Sequence, residues 1–180
     1  MNYALRVARL EDEATLRELI ARSIRALGAA DYSPAQIEAA LQGAFGVDTT
    51  LIRDGTYFVA EAVDGSVVGC GGWSRRRTLF GSDTRADRDE SWLDPANDAA
   101  KIRAFFVDPA HARHGLGRRF LERSEREAMR AGFTTFALMA TLPGARFYEK
   151  YGYIAEAAIT HPLAGGLTIR FVPMIKRART

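Results

Sequence analysis

Residues 105–117 read FFVDPAHARHGLG, and the predicted architecture is built around them. It begins inside an apolar strand, residues 100–107, passes an Asp-Pro turn, and enters a loop rich in arginine and histidine. An amphipathic helix follows over residues 115–131, and a second apolar strand follows over residues 133–140. A strand–helix–strand unit of this kind predicts two parallel strands joined by a right-handed crossover.

Antiparallel strands flank that unit on both sides. The dipeptide Asp64-Gly65, between two apolar stretches, is typical of a two-residue hairpin turn, and Gly71-Gly72 in the second strand suits a bulge or a close backbone approach. The remaining predicted elements are a strand over 4–9, helices over 11–27 and 33–45, the hairpin strands over 56–63 and 66–75, a helix over 143–151, and strands over 153–159 and 167–175. The order β-α-α-β-β-β-α-β-α-β-β predicts an α/β (α+β) mixed sheet with helices on both faces.

Composition places the chain among ordinary globular proteins. The 180 residues are 47% apolar and 26% charged, with a net charge of +3, which excludes a disordered tail, a fibre or a disulfide-rich miniprotein. We expect a single domain over residues 1–180. The lone cysteine, Cys70, allows no internal disulfide. No apolar run approaches the roughly 20 residues of a membrane span, and the first residues do not resemble a signal peptide, so we expect a cytoplasmic protein without membrane contact.

Residues 78–98 form a long polar segment without clear periodicity. Six acids and two arginines give it a local charge of 2 − 6 = −4. Long loops inside compact domains are often functional, so this segment is a candidate lid. Its acidity would favour a cationic substrate, and it equally suits a merely solvated loop.

The start of the central helix is a candidate anion site. The first turn of a helix carries free N–H groups and the positive end of the helix dipole, and Gly115 and Gly117 leave room for a phosphate. Two interpretations stay open on these residues alone: a phosphate cradle, or a helix start that needs glycine for packing. No Gly-Lys-Ser/Thr or third glycine follows, which disfavours a P-loop or a dinucleotide fingerprint.

This stretch resembles motif A of the GNAT superfamily, the acyl-CoA-dependent N-acetyltransferases, whose pattern is Gln/Arg-x-x-Gly-x-Gly/Ala. Aligning Gly115 and Gly117 places Ala112 at the Gln/Arg position, a departure, with Arg113 next to it. Residues 147–153, FYEKYGY, resemble the family's Tyr-x-x-x-Gly-Phe/Tyr ending. The element order resembles the family's fold over nearly the whole chain, and the resemblance implies that the central parallel pair is splayed.

The resemblance implies acetyl-CoA as cosubstrate and a primary amine, on a small molecule or a peptide, as acceptor. Tyr148 stands at the position of the family's general acid, with a core aromatic as the alternative interpretation. A backbone N–H near Phe106 would polarise the thioester carbonyl. The residues implied to bind acetyl-CoA are Phe105, Phe106, Val107, Arg113, His114, Gly115, Leu116, Gly117, Arg118 and Thr141; Thr141 or Pro143 stands where the family often has Asn.

The base that accepts the amine proton is less clear from the sequence. The family often has a Glu where this chain has Lys101, so Glu61, an acid inside an apolar strand, is our candidate. Three alternatives stay open. Glu61 faces outward and has no catalytic role, Asp98 is the base, or a chain of water molecules accepts the proton. Tyr32 and Trp73 are the residues we predict to contact the acceptor.

Three functional classes follow. An N-acetyltransferase that works by direct attack in a ternary complex is the first, and a non-catalytic acyl-CoA-binding module of the same fold is the alternative. A nucleic-acid-binding domain is disfavoured by the small net charge and the lack of a basic stripe.

His111 and His114 have no Cys or paired acid at metal spacing, so we predict no metal site. The resemblance also implies that the final strands can pair across a homodimer.

Overall fold

The computed structural model describes residues 2–85 and 87–178. Its strands are β1 (Ala4–Val7), β2 (Tyr57–Glu61), β3 (Val67–Ser74), β4 (Ala100–Val107), β5 (Thr135–Thr141), β6 (Ile154–Ala155), β7 (Ile159–Pro162) and β8 (Thr168–Arg177). Its helices are α1 (Glu13–Leu27), α2 (Pro34–Ala40), α3 (Thr49–Arg53), α4 (Leu116–Arg130) and α5 (Leu142–Glu149).

The strands form one mixed sheet in the order β1-β2-β3-β4-β5-β8-β6, with β7 also pairing with β8. β4 and β5 are parallel, and the other paired neighbours are antiparallel. Two apolar clusters lie on opposite faces of the sheet: α4 and α5 pack on one face, α1, α2 and α3 on the other. The predicted mixed sheet, central parallel pair and helices on both faces are confirmed.

Local sequence signals explain several boundaries. Ser33 caps α2 by accepting a hydrogen bond from the Gln36 N–H at 3.3 Å, and Pro34 occupies the first helical position. In the hairpin turn, the Asp64 carboxylate accepts from the Ser66 N–H at 3.0 Å. Gly65 there adopts a φ of +83°, a conformation that glycine takes without strain.

Three predicted elements need correction. The second helix was expected over residues 33–45 but ends at Ala40, where the chain turns and Phe45 donates back to the Ala40 carbonyl. The extra helix α3 follows, capped by Asp48, so the order β-α-α-β lacks one helix. The strand expected over residues 153–159 is divided into β6 and β7, which pair with different parts of β8.

None of the described helices has both the length and the apolar character needed to cross a membrane.

Candidate functional site

The two central strands separate after two residue pairs. The ladder between β4 and β5 pairs Ala100 with Phe136 and Lys101 with Ala137 in the described chain. β4 then continues to Val107 while β5 runs on to Thr141, paired along its other edge with β8. The carboxyl-terminal halves of the two strands therefore diverge, which confirms the predicted splay and leaves a gap between them.

A bulge in β4 accompanies this divergence. Gly72 pairs with Arg103 and Cys70 with Phe106, so two residues of β4 face Gly71 alone. One of these two, Ala104, has a φ of +56°, which is costly for a residue with a Cβ. A Cβ on Gly71 would overlap the ring of Phe105, so the glycine allows the bulge to form.

The register decides which N–H groups of β4 face the gap. Phe106 pairs with Cys70 of β3, and the Asp108 N–H donates to the Val68 carbonyl at 2.9 Å. Donors alternate sides along a strand, so the Phe106 N–H faces β3 while those of Phe105 and Val107 face away from it. The Val107 N–H donates to Ser23 Oγ of α1 at 3.2 Å.

The loop after β4 leads into α4 through two residues with positive φ. Arg113 has a φ of +62°, and Gly115, at the N-cap position of α4, has a φ of +80°. Because Gly115 has no side chain, the first N–H groups of α4 lack a side-chain cap and stay available to an anion. Gly117 packs this turn against α5: a Cβ there would lie 3.2 Å from Phe147 Cζ. Arg118 is exposed and pairs with Glu122 at 2.6 Å.

Tyr148 stands beside the bulged half of β4. Its ring lies 6.0 Å from that of Phe105 and 5.0 Å from that of Phe147, centroid to centroid. The residue is 9% exposed, and this burial raises the pKa of the phenol well above its usual range. The hydroxyl is therefore protonated at neutral pH. Thr141 caps the same helix by accepting from the Gly144 N–H at 3.1 Å.

The other predicted site residues do not gather at Tyr148. Glu61 ends β2, two strands from β4, and accepts from Arg6 Nε at 2.7 Å. Trp73 is 4% exposed and packs on Phe133 in the apolar cluster under α4. The roles assigned to Glu61 and Trp73 stay predictions, with no contact between them and the gap to support them.

Tyr32, in the connection between α1 and α2, contacts the first residue of α5, which follows directly on β5. Its hydroxyl donates to the Arg170 carbonyl at 2.8 Å and accepts from the Leu142 N–H at 2.8 Å. Burial raises the pKa of this phenol to about 12. Its hydroxyl thus joins β8 to the first residue of α5, and its predicted contact with the acceptor stays a prediction.

Sequence reasoning missed a buried ion cluster that anchors residues 78–98. Arg103 of β4, 3% exposed, donates to Asp48 at 2.8 Å and to the Thr78 and Gly81 carbonyls at 2.8 and 3.0 Å. Arg88 donates to the other Asp48 oxygen at 2.7 Å. A charged residue inside the apolar strand AKIRAFFV was the available signal. These contacts hold Thr78, Gly81 and Arg88 of the loop close to β4, and the role of the loop as a lid stays a prediction.

No group of three or more potential metal-ligating side chains is found among the residues that the structure describes.

Comparison with known proteins gives one family match and several structural matches. The family model described as "Acetyltransferase (GNAT) family" matches residues 18–153. A GCN5-related N-acetyltransferase from Rhodopseudomonas palustris is similar in structure, with a TM-score of 0.71, 22% identity, and coverage of 98% of this chain and 96% of that chain.

Two further similar structures contain coenzyme A or its acetyl ester. PaiA N-acetyltransferase from Thermoplasma acidophilum, in complex with coenzyme A, has a TM-score of 0.67 at 17% identity, covering 98% of this chain and 99% of that chain. A GNAT family acetyltransferase from Brucella melitensis, in complex with acetyl-CoA, has a TM-score of 0.58 at 16% identity, covering 99% and 90%. Comparison with curated proteins gave no match.

Proposed function

The chain belongs to the GNAT acetyltransferase family, and from that premise we propose that it transfers the acetyl group of acetyl-CoA to the nitrogen of a primary amine. The observation that carries the proposal is the gap between β4 and β5, with the ring of Tyr148 next to that of Phe105 in the bulged half of β4. The gap offers unpaired strand edges to the amide groups of the pantetheine arm. Both substrates are bound together, and the amine attacks directly.

The first turn of α4 is the proposed site for the pyrophosphate of acetyl-CoA. Arg113 and Gly115, both at positive φ, turn the chain so that the N–H groups of Leu116 and its neighbours face outward. His114 and Arg118 add positive or hydrogen-bonding groups at the rim. The basic residue missing at Ala112 is replaced in this proposal by Arg113, the next residue along the chain.

The reaction makes one bond and breaks one. The amine nitrogen bonds to the acetyl carbonyl carbon, and the carbon–sulfur bond breaks with its electron pair on sulfur; the nitrogen loses one proton and the sulfur gains one. We assign the N–H of Phe105, which faces away from β3, as the donor to the carbonyl oxygen. The neighbouring N–H of Phe106 faces β3 and does not serve this purpose.

Tyr148 is the proposed donor to the departing sulfur. A phenol ordinarily has a pKa of about 10 and an alkyl thiol about 8.5, and burial raises the pKa of Tyr148 further. The hydroxyl therefore stabilises the thiolate through a hydrogen bond, and the proton that finally reaches sulfur comes from solvent. For the amine proton we also propose solvent as the acceptor, because Glu61 is held by Arg6 away from the gap.

Titration calorimetry of acetyl-CoA into the protein is the first test, followed by detection of free thiol with a mixture of primary amines. Saturable binding in the micromolar range with amine-dependent thiol release would support the transferase. Binding without release for any amine would favour the non-catalytic acyl-CoA-binding module. Failure to bind millimolar acetyl-CoA would overturn both.

A further inference from the structure

A strip of partly exposed apolar residues follows the gap on the face covered by α1 and α2. We define the acceptor trough as Phe80, Ala104, Phe106, Met139, Leu142 and His161, all of which are neither buried nor fully exposed. Ala104 and Phe106 come from the bulged half of β4, and Met139 comes from the facing half of β5. The trough therefore lies over the part of the sheet where the acyl group would be presented.

Aromatic rings line one end of the acceptor trough. The Phe45 ring lies 6.2 Å from Phe106 and 5.8 Å from Phe171, centroid to centroid. Phe171 in turn lies 5.3 Å from Phe80 and 6.1 Å from His161. Phe80 and His161 meet edge to face at 5.0 Å. These contacts join the rings into one cluster, and its partly exposed members, Phe80, Phe106 and His161, are suited to contact an aromatic or branched apolar group.

The charges next to the acceptor trough are already paired. Arg85 lies over the Phe80 ring at 4.0 Å and donates to Asp87 at 2.7 Å. In the loop over residues 78–98, the other arginine-paired carboxylates are Asp83 and Glu90 with Arg88, and Asp98 with Arg77. Below the loop, Asp48 is shared by Arg88 and Arg103. Four of the six carboxylates of this loop, whose acidity the sequence suggested would favour a cationic substrate, are thus already paired with arginines of the protein.

Partial burial of His161 beside the rings of Phe80 and Phe171 disfavours its charged form. Its pKa is lowered by burial and by the positive charge of Arg85, with Asp87 acting in the opposite direction. A second ammonium group on the acceptor would therefore meet rings and paired charges, and it would lose hydration without gaining a carboxylate.

We infer that the acceptor is a primary amine on an aromatic or branched apolar group, without a second positive charge, and that Phe80 determines this specificity. The inference rests on the proposed function, because it names the substrate class of that same site. The ring of such an amine packs on Phe80 and Phe106, and its nitrogen points into the gap.

The test compares two amines in the wild-type protein with acetyl-CoA saturating. We expect kcat/KM for 2-phenylethylamine to exceed that for 1,4-diaminobutane at least tenfold, since burying one phenyl ring is worth about one to two orders of magnitude in binding. Phe80→Ala should lower kcat/KM for 2-phenylethylamine about tenfold and leave acetyl-CoA affinity within twofold. Trp92→Ala, an exposed aromatic in the same loop that stacks on Arg75 and Arg76, is the matched control and should change neither value.

The outcomes separate this inference from the proposed function. Thiol release with 1,4-diaminobutane equal to or faster than with 2-phenylethylamine would overturn the inference and leave the transferase standing. An unchanged preference in Phe80→Ala would remove Phe80 as its determinant. If acetyl-CoA itself fails to bind the wild-type protein, the proposed function and the inference fall together. Comparing the two amines in the wild-type protein does not depend on the folding of any variant.

Discussion

The hydroxyl of Tyr57 on β2 donates a 2.9 Å hydrogen bond to the carbonyl of Ala104, the bulged residue of β4. Tyr57 is fully buried, and its ring passes over β3 at Gly72, where a Cβ would contact the Tyr57 backbone and ring. A residue held at φ +56° persists when its surroundings favour that conformation. The bond therefore helps to fix the bulge from which the gap opens.

Tyr57→Phe tests this relationship. Removing the hydroxyl leaves a carbonyl without its donor, so we expect the free energy of unfolding to fall by about 1–3 kcal/mol. We also expect kcat to fall, because Phe105, whose N–H is the proposed donor to the carbonyl oxygen, is the second residue of the bulge. Denaturant unfolding measures the first effect and thiol release the second. An unfolding free energy equal to that of the wild type would show that the bulge does not need this bond.

Tyr148→Phe tests the proposed donor to sulfur. We expect kcat to fall roughly 10- to 100-fold, as for the loss of one hydrogen bond to a charged group, while the Kd of acetyl-CoA changes less than twofold. Tyr151→Phe is the control, since this ring also packs on Phe147, at 4.9 Å, but from outside the buried cluster. Equal kcat values for wild type and Tyr148→Phe would remove Tyr148 from the mechanism.

The elements nearest to the site were predictable because their signals are local. The stretch 105–117 contains the end of β4, its turn and the start of α4, and the dipeptide Asp64-Gly65 marks a hairpin. These patterns depend on residues that are neighbours in the chain. They therefore predicted the crossover unit and, with the resemblance to a family, the splay of the central strands.

The register and the buried ion cluster could not be predicted in this way. Asp48 and Arg103 are 55 residues apart, and the sequence around either residue does not indicate that the two form an ion pair. Glu61 looked like a candidate base because it is an acid in an apolar strand, and the fold supplies Arg6 from β1 as its partner. Pairings across strands and loops depend on topology, which one sequence encodes only indirectly.

Asp48→Asn tests that ion cluster. The substitution leaves Arg103 and Arg88 without their shared carboxylate in a buried site, so we expect a loss of about 3–5 kcal/mol in the free energy of unfolding. Glu38→Gln breaks the exposed pair with Arg25 and should leave the free energy of unfolding nearly unchanged. Similar losses for the two variants would mean that the buried cluster does not hold the loop.

Gly115→Ala tests the phosphate cradle, with Gly165→Ala as a matched control. Both glycines have positive φ, +80° and +70°, and open space at the position of a Cβ. Each alanine should therefore destabilise the fold by a similar amount, about 1 kcal/mol. Gly115→Ala alone should weaken acetyl-CoA binding, about tenfold by calorimetry, since relief of the strain rotates the first N–H groups of α4. Equal affinities in the two variants would place the pyrophosphate elsewhere.

The lowered pKa of His161 predicts how the stability of the fold depends on pH. Burial and Arg85 lower its pKa in the folded state below the ordinary value of 6.5, while Asp87 partly offsets them. Below about pH 6.5 the unfolded chain therefore binds a proton at this histidine more readily than the folded chain does. The contribution of His161 to the free energy of unfolding is thus fully present above that pH, and it is lost as the pH falls through the folded-state pKa. His161→Gln should flatten the decrease in Tm that the wild type shows between pH 7 and pH 5. A decrease of the same size in His161→Gln would show that other groups take up the protons on unfolding.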